Sequence, residues 1–317
     1  MNKQILKIMM IAIITITLTA CGGESSPPIT DNNTITKPVP TTPPSINPIT
    51  EPADLAWFAA ELANYMGMST SYSSTPNTGS CEAGEISTQS QTDFLLLVNK
   101  IRGLHGLKSL TLGTMPNEMQ EAALMMDANN KLDHHPTSDW TCYTSAGDTG
   151  AGASNLGLGY YTLGTAIVRG WLQDGGVYSL GHRRWVLAPS MVNTVFGDVG
   201  RGYAMQTMGY GGSDTVPFIA YPYREYPTDL IGNARWSFSV NDGSVYSSSV
   251  NYSNATVNIS DIGNVPFDDL GANYGSGGTI AWDYPRGVEA NVPYTVTISG
   301  VTGAPESTYT YTVTIID

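Results

Sequence analysis

The sequence predicts a compact α/β sandwich followed by an all-β sandwich, both on an exported chain. Helix-period apolar residues occupy 94–171 and give way to short strand-like runs up to Met208. Helices first and strands later, within about 130 residues, suit a layered α/β domain. From Val216 onward the apolar residues alternate in short β-type runs, the pattern of half-buried strands. The boundaries expected are 1–20 for an export signal, 21–85 for a linker with a short helix, 86–214 for the α/β domain and 215–317 for an immunoglobulin-like β-sandwich.

Taken in order, Lys3 and Lys7 precede a short apolar run, Ile8 to Leu18, that is too short to span a bilayer as a permanent helix. Residues 22–52 are rich in Pro, Thr, Ser and Asn, cannot bury enough surface to fold, and read as a tether. Leu55, Phe58, Leu62 and Tyr65 share one face of a short helix whose docking is left open. Thr92 is placed to cap a helix carrying Phe94, Leu95, Leu97, Val98 and Ile101, broken by Gly103 and Gly106. Pro116 suits the first turn of a second helix, with Met119, Ala122, Ala123 and Met126, ending near His134.

The glycine-rich segment Asp148 to Tyr160 reads as loop or strand edge. A third helix, Leu163 to Asp174, sets Leu163, Ile167 and Trp171 on one face and stops at Gly175-Gly176. Trp185 to Leu187, Val195-Phe196 and Tyr203 to Met208 read as short strands. Beyond them, Trp236-Phe238-Val240, Val257-Ile259 and Ile280-Trp282 read the same way, as does a hairpin of Tyr294 to Ile298 and Tyr309 to Ile315.

The net charge of −13, with only 13% charged residues, argues against a nucleic-acid partner. Three cysteines are present, and Cys21 stands apart at the end of the leader. Cys81 and Cys142 then form a candidate disulfide for an oxidising compartment, the alternative being two buried thiols. On the chain-entropy model such a bridge contributes at most about 4 kcal/mol. Leu18-Thr19-Ala20-Cys21 resembles the bacterial lipobox, in which the cysteine is acylated. Each methylene buried in the bilayer then contributes ~0.8 kcal/mol to anchoring. The expected location is the cell envelope, lipid-anchored at the outer membrane or cell surface.

Two histidine motifs carry the chemistry. One is Leu132-Asp133-His134-His135-Pro136, at the expected helix end; the other is Gly181-His182-Arg183-Arg184-Trp185, expected on a strand with its arginines on alternate faces. Imidazoles brought together from distant segments bind a metal or shuttle a proton. The structural alternatives are a core-bonded His182 and a His134 that serves only the helix C-terminus. His105 reads as a loop residue meeting water, and Gly157-X-Gly159 as a tight loop more than a phosphate cradle.

The order of features from Phe94 to Met208 resembles the CAP, or SCP-like, superfamily in its bacterial branch. The carriers are Leu97-Val98-Asn99 to Arg102, an Ala-rich helix leading to a histidine, the turn Ala153-Ser154-Asn155-Leu156, Trp171 followed by Asp174, and Gly181-His182. The resemblance implies a three-layer α–β–α sandwich with a central cleft presenting two histidines and two acids. His182 matches the second histidine; His134 matches the first, with His135 its rival. Asp174 stands where a glutamate is usual, and Ser154 stands where the second carboxylate belongs.

That departure removes a charge and a general base, and leaves a hydroxyl that only a neighbouring histidine would activate. A Ser154–His–Asp174 triad is conceivable on composition, yet Ser154 lacks the strained elbow of such nucleophiles. Two imidazoles, His134 and His182, make a weak set for zinc, the candidate metal. The expectation is a cleft that binds a lipid, glycan or protein ligand without catalysis and without a required cofactor. The alternative is a metal-assisted hydrolase acting on a peptide or envelope polymer.

Overall fold

The computed structural model describes residues 52–317. The expected export signal, Cys21 as the expected lipidation site and the expected tether up to residue 51 lie outside them. Among the described residues no helix is long and apolar enough to cross a membrane.

Helix α1 (Pro52–Gly67) is docked. Phe58 and Leu62 are fully buried against the domain core, and each such side chain contributes roughly 1.5–3 kcal/mol. The linker expected to reach residue 85 therefore gives way to folded chain from α1 onward. Strands β1 (Tyr72–Ser74) and β2 (Glu85–Ile86) pair antiparallel, and the turn between them holds Cys81, disulfide-bonded to Cys142 with their Cα atoms 5.2 Å apart. Its polar composition hid this segment; the disulfide and α1 hold it in place.

Helix α2 (Thr88–Leu104) begins four residues before Thr92. Ser87 is the cap, its hydroxyl accepting from the Ser90 amide, while Thr92 donates to the Thr88 carbonyl from inside the helix. His105 closes α2 and is buried, which corrects the solvent-facing reading. Its Nδ1–H donates to the Ala220 carbonyl at 2.8 Å, and its Nε2 accepts from the Tyr226 hydroxyl at 3.1 Å.

After β3 (Thr111–Leu112), α3 (Pro116–Asn129) carries Pro at its first turn as expected. It ends at Asn130, which is left-handed, so His134 lies in the following loop and not on the helix. The glycine-rich stretch read as loop or strand edge starts as helix and then becomes an edge strand, so the second reading holds for its latter half. It forms α4 (Ser145–Gly152), capped by Thr144, and β4 (Ser154–Leu158). Gly150 explains the composition: a Cβ there would lie 2.0 Å from the Glu118 carbonyl of α3, so α4 sits on α3 only without one.

Helix α5 (Leu163–Thr165) continues as a π-helix over Ala166–Leu172. The Gly-His motif is the helix α6 (Gly181–Val186), not a strand. Strands β5 (Asn193–Thr194), β6 (Phe196–Val199) and β7 (Gly202–Gln206) follow.

The sheet order is β4-β7-β6, antiparallel throughout. Along β7 the faces alternate: Tyr203 and Met205 join the core with Phe94, Ile167 and Trp171, while Ala204 joins Met119, Ala122 and Met126 of α3. Helices thus cover both faces, the layered α/β arrangement expected. Gly197 permits the close α3 contact, since a Cβ there would meet the Met119 carbonyl at 2.0 Å.

The remainder is β-rich: β8 (Phe218–Tyr221), β9 (Arg224–Pro227), the short α7 (Thr228–Ile231), β10 (Trp236–Val240), β11 (Thr256–Ile259), β12 (Gly263–Val265), β13 (Asp268–Asn273), β14 (Ser276–Trp282), β15 (Pro293–Ser299) and β16 (Thr308–Ile316). Two sheets form, in the orders β13-β14-β10-β8 and β12-β11-β15-β16-β9. Phe238 of β10 meets Tyr309 and Tyr311 of β16, ring centres 5.4 and 6.2 Å apart, so the sheets pack face to face. The expected hairpin is β15–β16, paired from Pro293↔Thr314 to Ser299↔Thr308. One apolar core runs from α2 through Trp171 to Trp236 and Trp282, joining the two regions without a break.

Candidate functional site

The site is built on three loops around β4. Two residues after the π-helix ends at Leu172 comes Asp174, whose backbone is left-handed (φ +54°) and which is almost wholly buried; aspartate tolerates that conformation better than most residues. The chain then turns back through Leu180, also left-handed (φ +51°), into α6. For a leucine this conformation is strained by roughly 1–2 kcal/mol. The return brings His182 onto Asp174. His182 Nδ1–H donates to Asp174 Oδ1 at 2.7 Å, and the Arg183 amide donates to Oδ2 at 3.1 Å. Burial works against a charged His182, but the Asp174 charge and hydrogen bond outweigh it and raise its pKa.

His134 reaches the same neighbourhood from the loop after α3. Its Nδ1–H donates to the Ala151 carbonyl at 2.7 Å. Burial lowers its pKa, against the help of that carbonyl, and the charge of His182 lowers it further, so the two imidazoles sense each other. Both rings spend Nδ1 on fixed partners and leave Nε2 uncommitted. Of the two adjacent histidines, His134 is half-buried and turned in, whereas His135 is exposed.

Ser154 opens β4 beneath them. Its hydroxyl donates to the Ala151 carbonyl at 3.4 Å, the same oxygen that His134 uses. Neither imidazole receives it, so the Ser154–His–Asp174 triad does not form in this geometry. Asn155, the next residue, donates from Nδ2 to the His182 carbonyl at 3.0 Å. Residues 151–155 therefore tether both histidine segments. Trp171 Nε1–H donates to the Leu156 carbonyl at 2.9 Å and fixes the π-helix to β4.

A resident zinc is tested by the donors present. Among the described residues no group of three or more His, Cys, Asp or Glu is placed to hold a metal ion. Asp174 is committed to His182 and Arg183, leaving two imidazole nitrogens where catalytic zinc sites use three protein ligands. The donor set does not fit a resident zinc.

Sequence reasoning missed the arginines of α6. On a strand, one would face the expected cleft; on this helical turn, both are buried. Arg183 donates to the carbonyls of Leu172, Gln173 and Arg235 at 2.7 Å each, and its guanidinium lies 3.7 Å above the Tyr221 ring. Arg184 donates to Ser276 Oγ at 3.1 Å and to the Gly271 carbonyl at 2.9 Å. The C-terminal β region is thus bolted to the helix that carries His182. The signal was available: two consecutive arginines beside an apolar Trp-Val-Leu run suit buried, multidentate bonding as well as solvent.

That region also places aromatic side chains beside α6. Tyr274, partly exposed, lies against Gly181, the residue before His182. Trp185, Tyr246 and Tyr210 continue the row, with ring centres 5.9 and 6.4 Å apart. A separate hollow of about 670 Å³ lies near the starts of α2 and α3, lined in part by Gln91, Pro116, Gln120 and Glu121, and touches none of the four candidate residues.

No match was found among curated proteins or among solved structures. A family model does match: the one described as CAP, cysteine-rich secretory protein family, covers residues 95–199. This span holds α3, His134, Ser154, Asp174 and His182, and it supports the CAP superfamily for this part of the chain.

Proposed function

We propose that this is an exported, lipid-anchored envelope protein whose CAP cleft, walled by His134 and His182, binds a ligand without turning it over. The carrying observation is Ser154: it occupies the place of the second acid in the family pattern, and its hydroxyl is spent on the Ala151 carbonyl. The cleft keeps two oriented imidazoles and one buried carboxylate, enough to recognise polar groups. The tyrosine row beside Gly181 adds apolar faces with hydroxyl edges, suited to a lipid, glycan or protein ligand. The C-terminal region, read as immunoglobulin-like, fixes α6. Anchoring rests on Cys21 and the leader before it.

The test is retention of envelope lipids and glycans by the full chain from Cys21 onward, compared with His134→Ala and His182→Ala. Retention by the wild type and at least tenfold less by the variants supports the reading. Equal retention, or none, contradicts it.

One observation favours a hydrolytic alternative. The environments push the two imidazoles apart, His134 toward the neutral base and His182 toward the charged acid, which is the arrangement of acid–base pairs. Release of peptide or sugar fragments from envelope polymer by the wild type, lost in His182→Ala, would establish it. Stimulation by added zinc in the wild type alone would restore the metal-assisted form.

A further inference from the structure

We infer that a halide ion, chloride under ordinary salt conditions, binds in a small, partly open hollow between α6 and the sheet containing β10 and β14. The hollow measures about 10 Å³, room for a single water-sized particle. Its polar lining is Arg183, Arg184, Ser237, Ser239, Ser276 and Thr279, each less than a tenth exposed. No carboxylate lines it, and the donors there not spent within the protein are Arg184 Nη1 and the Ser237 hydroxyl.

The charge balance is what asks for an anion. Among the described residues, no carboxylate stands within ion-pair distance of the Arg183 or Arg184 guanidinium. Asp174 bonds the Arg183 backbone and also acts on its guanidinium as a charge beyond ion-pair distance, as Asp269 does on Arg184. Two buried cations without a counter-charge carry a desolvation cost of several kcal/mol each unless something offsets it. Consistent with this, burial lowers the pKa of both arginines, that of Arg184 to about 10.

Donor accounting points to the same place. Arg184 Nη1 is buried and has no partner. Ser237 accepts from Arg183 Nη1 at 3.2 Å, which leaves its own proton free to donate. Ser239, Thr279 and Ser276 bond among themselves, at 2.6 and 3.2 Å, closing the far wall. A water could also bond there, through the hydroxyl oxygens of the lining, but it would bring no charge. A monatomic anion accepts from all sides and supplies the missing charge. The size excludes sulfate and phosphate.

The ion would lie behind His182, on the opposite face of α6 from the cleft, and would clamp the C-terminal region to the CAP domain. This stands independently of the ligand reading.

The experiment is thermal unfolding of the full chain in sodium chloride and in sodium gluconate at equal ionic strength, with bromide-soaked crystals as a second readout. The expected result is a midpoint several degrees higher in chloride, saturating with concentration, and an anomalous bromine peak between Arg184 Nη1 and Ser237 Oγ. Ser237→Ala, which leaves both arginines and the fold in place, should weaken the chloride dependence at least threefold. Arg184→Met should abolish it. Equal midpoints in the two salts, a chloride response unchanged in Ser237→Ala, or a crystal map showing only water there would each overturn the inference.

Discussion

Asp174 and His182 are locked by two bonds at once: one carboxylate oxygen takes the imidazole Nδ1–H at 2.7 Å and the other takes the amide of the next residue, Arg183, at 3.1 Å. The carboxylate therefore orients the ring and the helix that carries it. With the folded-state pKa of His182 raised, the stabilisation is fully present below the unfolded value of about 6.5 and is lost as pH rises through the folded value. Asp174→Asn should consequently destabilise more at pH 5 than at pH 9. Urea unfolding at the two pH values checks this, and equal losses would separate the stability of the pair from its charge.

Arg183 is expected to be among the least replaceable residues. Arg183→Met removes the bonds to three carbonyls and the contact over Tyr221, leaving buried acceptors unpaired, and should cost roughly 3–5 kcal/mol. Arg183→Lys keeps the charge but not the planar fork, so it should recover less than half of that loss. Denaturant midpoints measure both. A lysine variant as stable as the wild type would show that charge, not geometry, is what matters.

His105 sets an acid limit. Burial holds its pKa at about 3, and the charges of Arg183 and Arg102 push in the same direction. A depressed histidine leaves stability intact above the unfolded value and removes it as pH falls below about 6.5, at about 1.4 kcal/mol per pH unit. Asp198 works the other way over part of this range, since burial raises its pKa to about 6. Above the window His105→Gln should be less stable than the wild type, having lost two buried bonds; between pH 6 and pH 4 its stability should fall less steeply. Parallel curves would remove His105 from the acid response.

The bridge between Cys81 and Cys142 closes 61 residues of sequence and holds the turn between β1 and β2 against the loop before α4. Reduction, or Cys81→Ala with Cys142→Ala, should lower stability by about 2–4 kcal/mol. The loss should first show as proteolysis within residues 68–86. Calorimetry with and without reductant, followed by mapping of the cleaved fragments, reads both effects.

Much of the fold was legible because apolar period and terminal signals agreed. Phe94 to Ile101, Pro116 to Met126 and the hairpin of Tyr294 to Ile315 each formed the element their spacing announced. The failures share a cause in tertiary contact. Gly147 and Gly150 look like loop residues, yet they permit α4 to lie on α3. The run Trp185-Val186-Leu187 alternates weakly enough to suit a strand, but arginines bonded on two sides make it a helical turn. At the site, residue identities were readable and the company they keep was not. Nothing in the sequence says that Ser154 spends its hydroxyl on Ala151, or that Arg183 and Arg184 leave the cleft for the β region.

The most direct measurement is a site-resolved pH titration of His134 and His182 by NMR, in the wild type and in His182→Gln. The expected result is His134 below and His182 above the ordinary imidazole value, with His134 moving back up once its neighbour is replaced. Two titrations near about 6.5, each indifferent to the other ring, would contradict the shared cleft on which the ligand reading stands.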